Sequence, residues 1–244
     1  MTDSTLTFMR DIEDAFRSAT GLANRSMYKI FYGPVRHAPI LTLGINPGGS
    51  PAETSADGTV QAGSLKSSAS ASYFENGEHD VLDCEWKENT GLRKLLMPFV
   101  ESDEARFREE IVKTNLAFRR SSKKADIDMG SAIAESMPFL QRIIERISPE
   151  LILLTGVTMP DFTDRFATDV QSVTPTERDP GVKQVVFSVV RAVVRNLEHQ
   201  TLIVQVAHAS QFSWTYERYD VAQRTLQLLE AEQALARDVR NARA

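Results

Sequence analysis

The sequence predicts an α/β fold, namely a three-layer α/β/α sandwich around a central, mainly parallel, four-stranded sheet. The first observation is that four short apolar runs of strand length are separated by segments with helical spacing. Such strands need crossover connections and lie parallel in one sheet. The second is size, because 244 residues with 42% hydrophobic side chains suffice for one large core. We therefore expect a single domain over residues 1–244.

The first half of the chain supplies two of these strands. Apolar side chains recur every three or four residues from 5 to 19, as in a surface helix. The apolar run at 39–45 breaks into Asn-Pro-Gly-Gly, which is typical of a buried strand ending in a turn. A long loop without periodicity often covers a functional site. The elements predicted in this half are N-terminal helices within 1–35 (a helix over 5–19 and an amphipathic stretch over 27–32), a strand over 39–45, a loop over 48–72, a helix over 89–100 and a strand over 111–118.

The second half supplies the other two strands. Residues 126–147 have a strong helical period, in which Pro138 predicts a kink or a boundary. The valine-rich segment 183–194 is either one long strand or a bent extension of the sheet. The elements predicted in this half are a helix over 126–147, a strand over 151–155, a helical stretch over 159–166, the β-rich segment over 183–194, a strand over 201–207 and a C-terminal helix over 214–244.

Charge and composition limit the classes of partner. The net charge is −5, whereas a protein that grips duplex DNA by bulk charge is usually basic. Any contact with nucleic acid therefore depends on a local cluster, such as Arg119 and Arg120 with Lys123 and Lys124. The single cysteine, Cys84, excludes an internal disulfide and a cysteine-based zinc site. The four histidines lack metal-ligand spacing, so we expect no metal and no cofactor.

The ends and the hydropathy of the chain predict its location. The N-terminus is acidic and polar, unlike a signal peptide, and no run of about 18 apolar residues occurs. We expect a cytoplasmic monomer without a membrane partner.

Polar side chains follow three of the predicted strands. Asn46, Asn115 and His208 each come where an apolar run ends. The carboxyl ends of parallel strands meet at one edge of a sheet, and ligands bind beyond that edge. We therefore expect these three side chains to line one site.

Four segments resemble signatures of the uracil-DNA glycosylase superfamily. GINPGGSP at 44–51 resembles the first signature, in the form found in the single-strand-selective and mismatch-specific branches. HASQFS at 208–213 resembles the second signature, and TNLAFRRS at 114–121 resembles the segment whose asparagine reads the base. LILLTG at 151–156 suits the third strand. All four occur in the order that the superfamily has, from residue 39 to the C-terminal helix.

The resemblance implies a monofunctional DNA glycosylase that hydrolyses the N-glycosidic bond of uracil or a related deaminated base. Its partner is single- or double-stranded DNA with the damaged base flipped out, and it needs no cofactor or metal. The implied catalytic residues are Asn46, which positions a water molecule, and His208, which donates a hydrogen bond to the departing base. The residues implied to bind the base are Gly44, Ile45, Pro47, Gly48, Asn115 and Phe74. Those implied to bind DNA are Ser210, Phe212, Ser213, Arg119 and Arg120.

Three departures from the superfamily pattern keep other hypotheses open. Ala209 replaces the proline of the second signature, residues 51–88 match no branch, and position 46 holds an asparagine where some branches have a carboxylate. The alternative is a non-catalytic or differently specialised relative that binds a nucleobase or nucleic acid. An unrelated enzyme of phosphorylated small molecules is a further hypothesis, against which the missing P-loop lysine argues. Taken singly, His208 and Phe212 also suit core packing, and RRSSKK at 119–124 suits a solvated loop.

Overall fold

The computed structural model describes residues 3–22, 27–46, 87–120 and 127–242. Its helices are α1 (Asp3–Thr20), α2 (Lys87–Leu96), α3 (Glu104–Glu110), α4 (Met129–Ile147), α5 (Met159–Phe166), α6 (Ala209–Phe212), α7 (Trp214–Arg218) and α8 (Val221–Ala242), with a 3₁₀ helix at Met97–Val100. Its strands are β1 (Ile40–Gly44), β2 (Ile111–Asn115), β3 (Leu151–Thr155), β4 (Ala167–Ser172), β5 (Glu177–Arg178), β6 (Val185–Val194) and β7 (Gln200–Val206). Among these described helices, none combines the length and apolar character that crossing a membrane requires.

The strands form one mixed sheet in the order β2-β1-β3-β7-β6-β4, and β5 also pairs with β6. Strands β2, β1, β3 and β7 are parallel neighbours, and β6 runs antiparallel to β7. Strands β4 and β5 pair antiparallel with β6. The predicted α/β fold is confirmed, and its parallel part consists of the four predicted strands. The prediction of a sheet of only four strands is wrong, because three antiparallel strands extend it.

The outer strands of this extension lack the sequence pattern of a buried strand. Strand β4 has the sequence ATDVQS, and every residue after Ala167 is exposed. Strand β5 contains only Glu177 and Arg178. Strand β6, by contrast, is valine-rich and almost wholly buried, and it is the extension that the sequence predicted as one of two possibilities. Exposed polar strands at a sheet edge leave no apolar alternation for the sequence to reveal.

Three helix predictions need correction. The helix expected over 214–244 is two helices, since α7 ends at Arg218 and α8 begins at Val221. Asp220 between them has a φ of 47°, which a right-handed helix cannot contain. Pro138 lies inside α4, which continues through it, so no boundary occurs there. Residues 28–35, the last part of the region 1–35 in which N-terminal helices were predicted, contain no helix.

The non-helical segment after α1 lies against the end of β2. The N–H of Lys29 donates to the carbonyl of Phe118 at 2.8 Å, and Tyr28 forms a β-bridge with Arg119. Phe16 of α1 is fully buried, and its ring packs edge-on against three other aromatic rings, those of Tyr28, Phe118 and Phe139. These contacts fix the segment that carries Tyr32 beside the sheet.

Alternate residues of the parallel strands belong to two apolar clusters. Leu41 and Leu43 of β1 pack in one cluster with residues of α1, α4 and α5. Ile40 packs in the other with residues of α2, α3 and α8. Successive side chains of a strand point to opposite faces, so helices cover both faces of the parallel part of the sheet.

The register of the parallel strands aligns their carboxyl ends. Gly44 of β1 is paired with Asn115 of β2 and with Thr155 of β3. Thr155 is in turn paired with Val206 of β7. The four strands therefore end level with one another, at an edge that we call the rim.

Candidate functional site

The rim carries the three polar residues that the sequence placed at strand ends. Asn115 is the last residue of β2, while Asn46 and His208 each lie two residues beyond the ends of β1 and β7. Neighbouring strands are about 4.8 Å apart, so β1 and β7 are separated by roughly 10 Å across β3.

The imidazole of His208 has a defined tautomer. Its Nδ1 accepts the backbone N–H of Ser210 at 3.2 Å and lies 2.9 Å from Ser210 Oγ. A ring nitrogen that accepts an N–H carries no proton, so the neutral ring holds its proton on Nε2. His208 is half-buried and caps the N-terminus of α6 through Nδ1. It is therefore not a core histidine, and Nε2 is its donor atom.

Two neighbours set the position of this imidazole. The backbone N–H of His208 donates to Oε1 of Gln184 at 2.9 Å, which ties the end of β7 to the segment before β6. Gly156, directly after β3, has a φ of +72°. A Cβ on Gly156 would lie 2.7 Å from Cδ2 of His208, well inside van der Waals contact. The ring of His208 therefore packs against the end of β3.

Asn46 is half-buried and follows a segment whose backbone is fully engaged. The carbonyls of Gly44 and Ile45 accept the N–H groups of Leu116 and Ala117 at 2.8 and 2.9 Å. A base bound through these two carbonyls would have to share them with the N–H groups of Leu116 and Ala117. The side chain of Asn46 is the first polar group beyond this pairing. The predicted residues that lie outside the described part of the chain are Pro47, Gly48 and Phe74.

The side chain of Asn115 is buried and contacts Tyr32. Its Nδ2 donates to the hydroxyl of Tyr32 at 2.6 Å, and both residues are at most 5% exposed. A carboxamide has two N–H donors and one carbonyl acceptor, so one donor is engaged by Tyr32. The predicted role of Asn115 in reading a base then depends on its carbonyl and its second N–H.

A buried cationic patch surrounds Tyr32. The ammonium groups of Lys29 and Lys113 each lie 4.6 Å from the centroid of its ring, which is cation–π distance. Both lysines are buried, at 5% and 3% exposure. Thr42, paired with Lys113 in the sheet, has a buried hydroxyl without a hydrogen-bond partner in the described part of the chain. Two buried lysines therefore pack against the tyrosine that contacts Asn115.

The predicted DNA-binding residues of the second signature lie together but differ in environment. Ser210 is engaged with the imidazole of His208. Phe212 is half-buried and packs on a small cluster formed by Val182, Val186 and Ala207. Ser213 lies against α2, where a Cβ added to Gly91 would lie 3.0 Å from that of Ser213. Insertion of the Phe212 ring into DNA would require the ring to leave this apolar cluster.

The two predicted basic residues are not presented as exposed cations. Arg119 forms a double hydrogen bond with the carboxylate of Glu135 on α4, at 2.5 and 2.9 Å, and this bond raises the pKa of the guanidinium. Arg120 is buried, at 8% exposure. Residues 121–126, with Lys123 and Lys124, lie outside the described part of the chain. A role for either arginine in binding phosphate stays a prediction that this placement does not favour.

Sequence reasoning missed three residues that shape the rim, namely Tyr32, Gly156 and Gln184. Gly156 ended the predicted third strand, and a glycine directly after a buried strand was the available signal. Tyr32 and Gln184 lie outside the four predicted strands and their connecting turns. Nothing in the pattern of either segment predicted a contact with Asn115 or His208.

The bond between Asn115 and Tyr32 predicts a measurable stability. Tyr32→Phe is expected to lower the free energy of unfolding by about 1–3 kcal/mol, because a buried amide donor loses its acceptor. Urea denaturation measures this change. In a cycle with Asn115→Ala, the double variant is expected to lose less than the sum of the two single losses. Additive losses would show that the two groups do not interact.

No family model and no curated protein matches this sequence. Within the described ranges, no group of three or more His, Cys, Asp or Glu side chains is placed to hold a metal ion. The function is therefore argued from the rim itself.

Proposed function

We propose that the chain is a monofunctional DNA glycosylase, which hydrolyses the N-glycosidic bond of uracil or a related deaminated base. The proposal includes the three-layer α/β/α fold of the uracil-DNA glycosylase superfamily, to which four ordered segments bear a resemblance. The parallel strand order β2-β1-β3-β7, with polar side chains following β1, β2 and β7, supports it. The proposed partner is DNA, and the proposed state is a cytoplasmic monomer without metal or cofactor.

The tautomer of His208 carries the proposal. When the bond from C1′ to the base breaks, its electron pair leaves with the base, so negative charge grows on the base and positive charge on the sugar. A neutral imidazole with its proton on Nε2 can donate a hydrogen bond to a base carbonyl as that charge builds. The Ser210 N–H holds the ring in this form, since it occupies Nδ1.

We assign to Asn46 the positioning of the water molecule that attacks C1′. Its carboxamide can hold a water molecule by one donor and one acceptor, but it cannot take up a proton at neutral pH. The water oxygen adds to C1′ of a sugar that is already dissociating, and the water's proton passes to the departing base or to solvent. Asn46 then contributes only by positioning the water, so we expect slower turnover than a carboxylate at position 46 would give.

The base is proposed to bind on the β2 side of the rim. The carboxamide of Asn115 offers both a donor and an acceptor, and so can distinguish the edge of uracil from that of cytosine. Uracil, hypoxanthine and xanthine each have at least one carbonyl group that can accept a hydrogen bond from the Asn115 amide.

Base release from defined oligonucleotides tests the proposal. The protein is incubated with single- and double-stranded oligonucleotides that carry one uracil, hypoxanthine or xanthine, followed by alkali. We expect strand breaks at the modified position of at least one substrate, and none at thymine or cytosine in matched controls. Intact strands for all three modified bases would refute the assigned activity.

A second candidate function is a non-catalytic relative that binds a nucleobase or nucleic acid. Two observations favour it, namely the lack of a carboxylate at position 46 and the engagement of Asn115 by Tyr32. This function predicts salt-dependent binding of oligonucleotides without release of any base. Release of free base by the wild type, lost in a His208→Ala variant, would exclude it.

A further inference from the structure

A buried carboxylate lies at a turn outside the proposed mechanism. Asp179 directly follows β5 and is 5% exposed. Its Oδ2 accepts the hydroxyl of Tyr219 at 2.8 Å, and its Oδ1 accepts the N–H of Gly181 at 2.7 Å. Nη1 of Arg218 lies 3.1 Å from Oδ2. Burying a carboxylate is costly unless donors surround it, and the three donors together make this position a stable attachment point.

The charge of Asp179 strengthens this attachment. The hydrogen bond from Tyr219, followed by that from Gly181, lowers the pKa of the Asp179 carboxyl, which therefore stays ionised at neutral pH. Hydrogen bonds to an ionised acceptor are stronger than those between neutral groups. Tyr219 directly follows α7, so the carboxylate ties the segment after β5 to the end of that helix.

Residues 179–184 form a turn between β5 and β6, which we call the anchor turn. A hydrogen bond of 3.0 Å between backbone groups of its first and fourth residues closes it. Val182 is buried and packs in the small apolar cluster that contains Ala207, the residue before His208. Two residues further on, Oε1 of Gln184 accepts the N–H of His208 at 2.9 Å. The anchor turn therefore contacts the end of α7 through its first residue and His208 through its last.

The bond from Gln184 acts where the backbone pairing of the sheet has stopped. The register of β6 and β7 ends with Phe187 opposite Val206, two residues before His208. The imidazole depends on the backbone in turn, because its Nδ1 accepts the N–H of Ser210 only while the ring and α6 keep their relative position. A displacement of the anchor turn would therefore move the ring and weaken the bond that selects its tautomer.

We propose that the anchor turn positions the imidazole of His208, with Gln184 and Asp179 as positioning residues. Gln184 holds the backbone N–H of His208, and Asp179 holds the turn that carries Gln184. The inference rests on the proposed function only for its effect on base release. The positioning itself is a property of the free protein, so it can be measured without DNA.

Nuclear magnetic resonance of the His208 ring nitrogens tests the inference, in isotope-labelled protein at a pH of about 8, where an ordinary histidine is neutral. His208→Asn assigns the signals, and the wild type is expected to show an unprotonated Nδ1 and a protonated Nε2. Gln184→Ala and Asp179→Ala are each expected to shift both signals toward the average of the two tautomers. A loss of overall stability alone does not change the tautomer in the folded protein.

Two milder variants keep the test informative if Asp179→Ala does not fold. Gln184→Glu keeps an acceptor oxygen at the same position along the side chain, so it is expected to keep the wild-type signals. Tyr219→Phe keeps the aromatic ring in the apolar cluster of the anchor turn but removes one donor to Asp179. It is expected to shift the signals in the same direction as Asp179→Ala, by a smaller amount.

The chain offers a matched control for each positioning residue. Asp128 accepts a backbone N–H two residues further on and a hydroxyl, as Asp179 does, but at the start of α4. Gln205 accepts a backbone N–H through Oε1 at 2.8 Å, as Gln184 does, but from the start of α5. Asp128→Ala and Gln205→Ala are expected to leave the His208 signals unchanged.

Base release measures the functional consequence. Gln184→Ala is expected to lower kcat about 10- to 100-fold without raising KM, because a displaced catalytic group costs rate rather than binding. Wild-type ring signals in Gln184→Ala, or in both Asp179→Ala and Tyr219→Phe, would overturn the inference. Shifted signals in a protein whose wild type releases no base would support the positioning and refute the proposed function, so the two failures are distinguishable.

Discussion

Replacement of His208 by alanine is expected to lower the rate of base release by roughly 100- to 1000-fold, the usual cost of removing one preorganised donor. The loss is expected in kcat rather than in KM, because the Nε2 donor strengthens its bond only as negative charge develops on the base. Single-turnover release of uracil from an oligonucleotide measures it. A variant that keeps more than half of the wild-type rate would show that His208 does not contact the departing base.

Two further variants separate this catalytic effect from a loss of structure. His208 also caps α6, so His208→Ala loses about 1 kcal/mol of stability with the cap. His208→Asn keeps a good capping side chain but ends short of the Nε2 position, so it is expected to be as stable as the wild type and still slow. The matched control is His199, which directly precedes β7 and whose Nε2 contacts the carbonyl of Pro149. His199→Ala is expected to release base at the wild-type rate.

The second large effect is expected at Gly156. An alanine there would bring its Cβ to 2.7 Å from Cδ2 of His208, so the imidazole must move off the end of β3. A displaced donor loses most of its contribution, and we expect a drop in base release on the order of 100-fold. The positive φ adds a strain of about 1–2 kcal/mol to the folded state. Denaturation and single-turnover kinetics measure the two effects separately.

Gly21 provides the matched control for that strain. Its φ of +69° is close to the +72° of Gly156, but a Cβ at this position has no atom within 4 Å. Gly21→Ala is therefore expected to lose a similar amount of stability and to keep the wild-type rate of base release. Equal losses of activity in the two variants would mean that destabilisation, and not the position of His208, explains the effect at Gly156.

The parallel core of the fold was predictable because its strands are short apolar runs with clear ends. Strands β1, β2 and β3 end at Gly44, Asn115 and Thr155, and His208 follows two residues after β7. Parallel pairing follows from the helices between the strands. Strands β4 and β5 were not predictable, because they are polar and pair only with β6. The break between α7 and α8 depends on the positive φ of Asp220. An aspartate within an amphipathic run does not predict such a backbone angle.

The candidate site was predictable only in part, and for a similar reason. Asn46, Asn115 and His208 follow strands, so their shared edge is a consequence of parallel topology. The partners that restrict them come from elsewhere: Tyr32 precedes the sheet, and Gln184 directly precedes β6. The engagement of Arg119 by Glu135 is likewise a tertiary contact between residues 16 positions apart. The local sequence determines which strand or helix carries a side chain. The packing of elements that are distant in sequence determines which partner the side chain contacts.

The most direct measurement of the central claim is a crystal structure of the protein with DNA that contains an abasic site, soaked with free uracil. The account predicts the uracil at the rim, with Nε2 of His208 and the carboxamide of Asn115 each within about 3.2 Å of a polar atom of the base. Asn46 should lie on the sugar side, with an ordered water between its side chain and C1′. Uracil bound elsewhere, or a rim filled by protein with His208 turned away from any ligand, would contradict the account.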